Sequence, residues 1–273
     1  MTGFRLAQAG AQEYYDVKSI TPSFDNSLIA ISEDNNGRRE YTIKIIDSES
    51  MTERDDLVEN TTGTVIWTDN NEYILYLKKD PVTLISNSVY AHKIGLPSST
   101  DILLYREDDP EFNLSLSLSK TKKYAFINIE ATNLNEIRLI DINKPLEDPM
   151  LFMSRSKNHL YYLEHHKYES FLVLSNKDAP NFKVLKSQLS NVNSVENMGI
   201  LVDHDSNIFI INILISGHYL ALEIRKNGLP EISVLNMENT KRHDISFPDN
   251  AYDVAFAYNN ELDGNSFNYS YSS

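Results

Sequence analysis

Short apolar segments, each followed by a polar turn and a second apolar segment, recur along the whole chain. They lie at residues 17–23 then 28–32, 65–68 then 73–77, 114–119 then 124–129, 160–165 then 170–174, 208–215 then 219–224, and 253–258 then 267–270. The turns fall near Asp25, Asn70, Thr121, Lys167, Gly217 and Leu262, a spacing of 45 to 51 residues. A fixed period of that size marks repeated supersecondary units such as propeller blades. Turn chemistry agrees, because Asp25-Asn26, Asp69-Asn70-Asn71 and Ser216-Gly217 supply residues that tolerate positive φ.

A third apolar or β-branched segment follows each pair, at 41–47, 89–94, 136–141, 182–186 and 231–236, with weaker fourth segments at 101–105 and 150–153. Apolar spacing of three and four over ten or more residues is nearly absent after about residue 14, which disfavours a βαβ sheet. A β-sandwich would also give many short strands, but not a four-strand unit returning so evenly. The expected fold is therefore all-β, a propeller of four-stranded antiparallel blades.

In a propeller the loops joining second to third strands emerge on one face. Here they are residues 33–40 (EDNNGRRE), 78–88 (KKDPVTLISNS), 130–135, 176–181 and 225–230. That ordering is expected to gather Arg38, Arg39, Lys78, Lys79 and Asp80 on one rim. These charges are either solvated loop residues or contacts to another domain.

Composition narrows the partners. A net charge of −14 and a pI near 4.9 leave no clustered basic surface for nucleic acid. The longest nearly apolar run, 208–215, is too short for a membrane helix, which needs about 20 residues. With no cysteine and no basic-then-apolar leader at the N-terminus, a cytoplasmic protein is the default expectation.

Four strings in order carry a family resemblance: EDNNGRREYTIKIIDSES, WTDNNEYILYLKKDPVTLISNSVYAHKIG, ILLYREDDPEFNLSLSLSKTKKY and the closing FPDNAYDVAFAYNNELDGNSFNYSYSS, with SNKDAPNFKV between them. Together they resemble the propeller of oligopeptidase B-type enzymes in the prolyl oligopeptidase family. The resemblance implies a seven-bladed propeller capping an α/β-hydrolase domain with a Ser, Asp and His triad, which cleaves short peptides after Arg or Lys. It implies that the propeller restricts access by larger folded proteins. On this alignment residues 1–14 (FRLAQAGAQEYYDV begins within them) are a linker into the second blade, and 15–273 hold about five full blades plus part of another. The hydrolase domain is expected to be the partner that these 273 residues lack, and short basic peptides to be substrates of the parent protein.

A hydrolase nucleophile needs a Gly-X-Ser-X-Gly turn. No such string occurs; the nearest, Gly264-Asn265-Ser266-Phe267-Asn268, lacks the second Gly and a following helix pattern. His165 and His166 are adjacent on a strand, so they face opposite sides and do not share a metal. Asp203-His204-Asp205 reads as a solvated turn, Glu107-Asp108-Asp109-Pro110-Glu111 as an acidic connection between blades, and Trp67 as an inward packing residue. No catalytic residue, cofactor or metal is expected in this chain itself.

Two functions compete: a non-catalytic module of a serine peptidase, and a free-standing propeller used as an interaction scaffold. An incomplete ring is expected to expose two apolar flanks, near Val17 and Phe267, and to self-associate through at least one of them. Ring closure by the remaining blades is the competing outcome.

Overall fold

A computed structural model describes residues 14–167, 170–259, 262–264 and 266–273. The linker expected at residues 1–14 therefore lies, but for Tyr14, outside the described residues. Strands follow one another up and down in chain order. The first blade takes β1 (Asp16–Pro22), β2 (Leu28–Asp34), β3 (Tyr41–Asp47) and the start of β4 (Glu53–Trp67). The second takes the rest of β4 with β5 (Tyr73–Lys79), β6 (Ser86–Lys93) and β7 (Ile102–Arg106). The third holds β8 (Asn113–Leu118), β9 (Tyr124–Glu130), β10 (Asn135–Asp141) and β11 (Met150–Met153). The fourth holds β12 (Tyr161–His165), β13 (Ser170–Ser175), β14 (Lys183–Gln188) and β15 (Gly199–Val202). The fifth holds β16 (Ile208–Ser216), β17 (Tyr219–Lys226), β18 (Leu229–Asn236) and β19 (Arg242–Asp244). A two-stranded sheet of β20 (Asp253–Phe256) and β21 (Tyr269–Ser272) ends the chain.

The repeat read from the sequence is thus the blade repeat, with differences at the edges. The last segment, expected at 267–270, pairs as Tyr269–Ser272. Fourth strands at Gly199–Val202 and Arg242–Asp244, and the outer half of β4, were not expected from the sequence; GILV is too short a run to stand out, and all three residues of β19 are exposed. Middle strands are the opposite case. All seven residues of β2 and all six of β13 are buried, because a blade's central strand is covered on both faces, and their sequences run apolar without strict alternation.

The chain divides into two compact units, one built on the first three blades (residues up to 118, with 122–132 and 136–152) and one on the remainder. In the first, Leu28, Ala30, Ile43, Ile45, Val58, Val65, Trp67, Ile74 and Tyr76 form one buried cluster spanning the first two blades. In the second, Leu172, Leu174 and Val184 of the fourth blade pack with Ile210, Ile215, Leu220, Leu222, Ile224 and Leu235 of the fifth. Each fully buried Leu or Ile contributes roughly 1.5–3 kcal/mol, so these inter-blade faces are the main store of stability in each unit.

Hairpin turns are set by their polar residues. Asn26 and Asn71 adopt φ of 61° and 57°, and Asp25 Oδ1 accepts from the Ser27 backbone N–H at 2.9 Å and the Ser23 hydroxyl at 2.7 Å. Those donors, the Ser27 N–H foremost, hold the Asp25 carboxyl at about 2. Asn71 Oδ1 also accepts from Phe24 N at 3.1 Å, joining the first turn to the second.

β4 runs through two blades without a break. It leaves the first near Thr61, whose hydroxyl donates to Tyr41 O at 2.8 Å and accepts from Gly63 N at 3.0 Å. Gly63, at φ 81°, gives the strand its change of course, and the pairing register slips between Thr61 and Val65. Among the described residues no helix is long and apolar enough to cross a membrane.

Candidate functional site

The rim read from the sequence is built by two loops of the first unit. At the end of β2, Asp34 accepts from the backbone N–H groups of Asn36 (2.9 Å), Gly37 (3.0 Å) and Arg39 (2.8 Å). Burial pushes the Asp34 carboxyl up, but these backbone donors outweigh it and the net direction is down. Gly37 and Arg39 take positive φ, 76° and 56°, so the loop folds back on itself and leaves Arg38 and Arg39 exposed.

The β5–β6 loop uses the same device. Asp80 Oδ1 accepts from Val82 N at 2.9 Å and Thr83 N at 2.8 Å, and the Thr83 and Val82 amides hold its carboxyl below the usual range. Beyond Asp80 the loop tip presents Val82 (87% exposed) and Leu84 (60% exposed). Lys79 Nζ donates to Arg39 O at 2.9 Å and so ties the two loops together at one end of the blades. Lys78 instead lies over the rings of Tyr90 and Tyr76, 5.3 and 5.7 Å from their centroids, a cation–π geometry. Deeper, Lys18 Nζ donates to Thr62 O at 2.6 Å; burial, then the nearby Lys79 charge, pulls its pKa down.

Among the described residues no carboxylate lies within ion-pair distance of Arg38, Arg39, Lys78 or Lys79. Other cations are committed: Lys44 sits 3.3 Å from Glu33, and Arg138 sits 3.0 Å from Glu136. The rim therefore offers positive charge, beside an exposed apolar tip, on a protein that is acidic as a whole.

Ser266, in the string nearest to a nucleophile turn, lies between β20 and β21. Its backbone carbonyl accepts from the Ser216 hydroxyl at 3.0 Å, and Asn265 beside it falls outside the described residues. Among the described residues no imidazole accepts from the Ser266 hydroxyl, the first requirement for an activated serine. His165 and His166 part company: His165 Nδ1 bonds the Thr121 hydroxyl at 2.6 Å inside the core, while His166 Nε2 reaches Gly217 O at 3.4 Å. In the Asp203-His204-Asp205 turn, Asp203 accepts from His204 N and Asp205 from Asn207 N, both at 2.8 Å. The turn borders an open cavity of about 400 Å3 that Ile208, Leu235 and Arg242 also line. Among the described residues no three His, Asp or Glu side chains are placed to hold a metal.

One ionic cluster left no trace in the sequence: His92 with Asp56 and Asp101, buried in the first unit. Its members are 36 and 9 positions apart and form no motif. Only the strand register unites them.

Residues 6–273 match the model of the prolyl oligopeptidase N-terminal β-propeller domain. The chain is 28% identical over 270 residues to dipeptidyl aminopeptidase BI of Pseudoxanthomonas mexicana, covering 98% of the chain and 36% of that protein. It is 28% identical over 263 residues to Protease 2 of Moraxella lacunata, covering 94% and 36%. Thus it spans about a third of the length of the curated relatives it matches. Oligopeptidase B from Leishmania major superposes with a TM-score of 0.89 at 24% identity, over 98% of this chain and 39% of that one. Oligopeptidase B from Trypanosoma brucei gives 0.88 at 25% identity, with the same coverage.

Proposed function

This chain belongs to the family of prolyl oligopeptidase N-terminal β-propeller domains, and we propose that it is the access-restricting, non-catalytic part of a serine peptidase like oligopeptidase B. The observation that carries this reading is the match of residues 6–273 to the propeller domain alone, in relatives nearly three times as long. Relatives named Protease 2 and oligopeptidase B support a peptidase as the whole protein, and cleavage after Arg or Lys in short peptides is what the sequence resemblance implies for it. Arg38, Arg39, Lys79 and Asp80, with Lys78 behind them, are the residues that meet the α/β-hydrolase domain. The support for this is the exposed charge of Arg38 and Arg39, with no carboxylate of the described residues in ion-pair reach, and the exposed Val82 and Leu84 beside them.

The test begins with the gene beyond codon 273. If a Gly-X-Ser-X-Gly segment follows, the continuous polypeptide is expected to hydrolyse arginyl and lysyl peptides, and the 273-residue chain to give no turnover. Replacing Arg38 and Arg39 together by Glu should then lower kcat/KM of the continuous enzyme about fivefold, the scale of two exposed ion pairs. A stop codon at that point, or turnover by the chain alone that vanishes in Ser266→Ala, would sink the proposal.

Self-association belongs to the same reading. Among the described residues β21 pairs with β20 alone, and a strand edge with free donors and acceptors is a template for a second strand. Light scattering of the chain at micromolar concentration is expected to show a dimer that dissociates on dilution. A strictly monomeric particle that binds no apolar-surface dye argues against it.

A further inference from the structure

His92 lies on β6, the third strand of the second blade, and its side chain is 0% exposed. Nδ1 is 2.7 Å from Asp101 Oδ1 and Nε2 is 3.2 Å from Asp56 Oδ1. Asp56 sits in the outer half of β4, which is the edge strand of the first blade. Asp101 closes the short 3-10 turn Ser98–Thr100 that leads into β7, the edge strand of the second. One imidazole thus spans the outer strand of one blade and the outer strand of the next. Where both carboxylates are ionised they can only accept, both ring nitrogens then donate, and the ring is an imidazolium.

The remaining groups that face this cluster fit that assignment. On β5, the Tyr76 hydroxyl donates to Asp101 Oδ2 at 2.7 Å, leaving Asp101 Oδ1 to the imidazole. Tyr90 of β6 stacks on Tyr76 at 5.7 Å, with the Lys78 ammonium over both rings. Gly95 N–H donates to Asp56 Oδ1, and on β4 itself Arg54 Nε stands 3.6 Å from Asp56 Oδ2. Two carboxylates thus face one imidazolium and one half-exposed guanidinium. If the ring lost its proton, one buried carboxylate would confront a bare nitrogen lone pair, a costly arrangement in a site closed to water.

We propose that protonated His92 is an ionic fastener that holds the outer strand of the first blade against the second, and that losing its proton opens this seam. Burial alone draws the His92 pKa down, but the hydrogen bond and charge of Asp101, followed by those of Asp56, more than reverse this and the net direction is up. The sign follows. A group whose folded pKa is raised adds stability that is fully present below its unfolded pKa and lost as pH rises through the folded one. The seam is therefore shut below the ordinary imidazole range and loosens as pH rises through the raised folded value.

The test uses the unaltered 273-residue chain. With 15N-labelled histidine, both ring nitrogens of His92 should resonate as imidazolium at pH 7, the signal being assigned by its loss in His92→Asn. Hydrogen exchange of residues 53–58, corrected for the intrinsic pH dependence, should lose about tenfold in protection as the ring titrates, the scale of one charged hydrogen bond. Asp101→Asn should move that loss to lower pH. If His92→Asn does not fold, the exchange profile of the unaltered chain decides alone. A neutral tautomer at pH 7, or protection of 53–58 that stays flat across the titration, overturns the proposal.

Discussion

Trp67→Ala is expected to destabilise the chain by about 3–5 kcal/mol, the range for deleting a buried indole. Trp67 closes β4, is buried, and packs among Leu28, Ile43, Val65 and Ile74 in the cluster shared by the first two blades. Its Nε1–H donates to Thr21 O at 2.8 Å, so the ring also ties the first strand of the second blade to that of the first. Alanine removes both the volume and the donor. Trp67→Phe fills most of the space but loses the indole donor to the Thr21 carbonyl, and should cost less, about 1–2 kcal/mol. Urea unfolding followed by far-UV circular dichroism reads the difference as a shift in midpoint at constant slope. A midpoint unmoved in Trp67→Ala would mean that this face contributes little to holding the blades together.

Gly63→Ala is the second large effect, about 2–5 kcal/mol. A side chain at φ 81° costs roughly 1–2 kcal/mol from its own backbone, and overpacking adds about 1–3 kcal/mol. The space is taken: a Cβ there would lie 2.8 Å from Tyr41 Cγ and 2.9 Å from Lys18 Cδ. Lys18 can swing its stem aside, whereas the buried Tyr41 ring, held by its hydroxyl on Asp16 at 3.0 Å, cannot. Thermal unfolding should fall by about 5–10 °C for a chain of this size. A melting point within a degree of the parent's would show that β4 can change course without a glycine.

Legibility followed burial. Middle strands announced themselves because both their faces are covered, as in LIAISED of β2 and SFLVLS of β13. Edge strands stayed silent, since ERDDLVEN at the start of β4 and RHD of β19 meet water along much of their length. The two loops were legible through turn chemistry, because Asp34, Gly37 and Asp80 mark the ends of their strands. Which cation touches what was not. That Lys79 reaches the Arg39 carbonyl while Lys78 covers two tyrosine rings depends on side-chain directions that neighbouring positions in a sequence do not reveal. The His92 cluster was least visible, since Asp101 reaches it through the register of β6 and β7, and Asp56 from a strand paired in the neighbouring blade.

The unbroken course of β4 bears on how such a chain can change over time. Elsewhere the passage between blades runs through a loop, as at residues 107–112 and 203–207, and a loop absorbs added residues at small entropic cost. β4 has no such slack. One residue inserted between its two halves would turn every later side chain of the strand to the opposite face, carrying Val65 and Trp67 out of the cluster they share with Leu28 and Ile43. The first two blades are thus bound into one heritable block, to be duplicated, exchanged or lost together, while the looped joints remain free to lengthen.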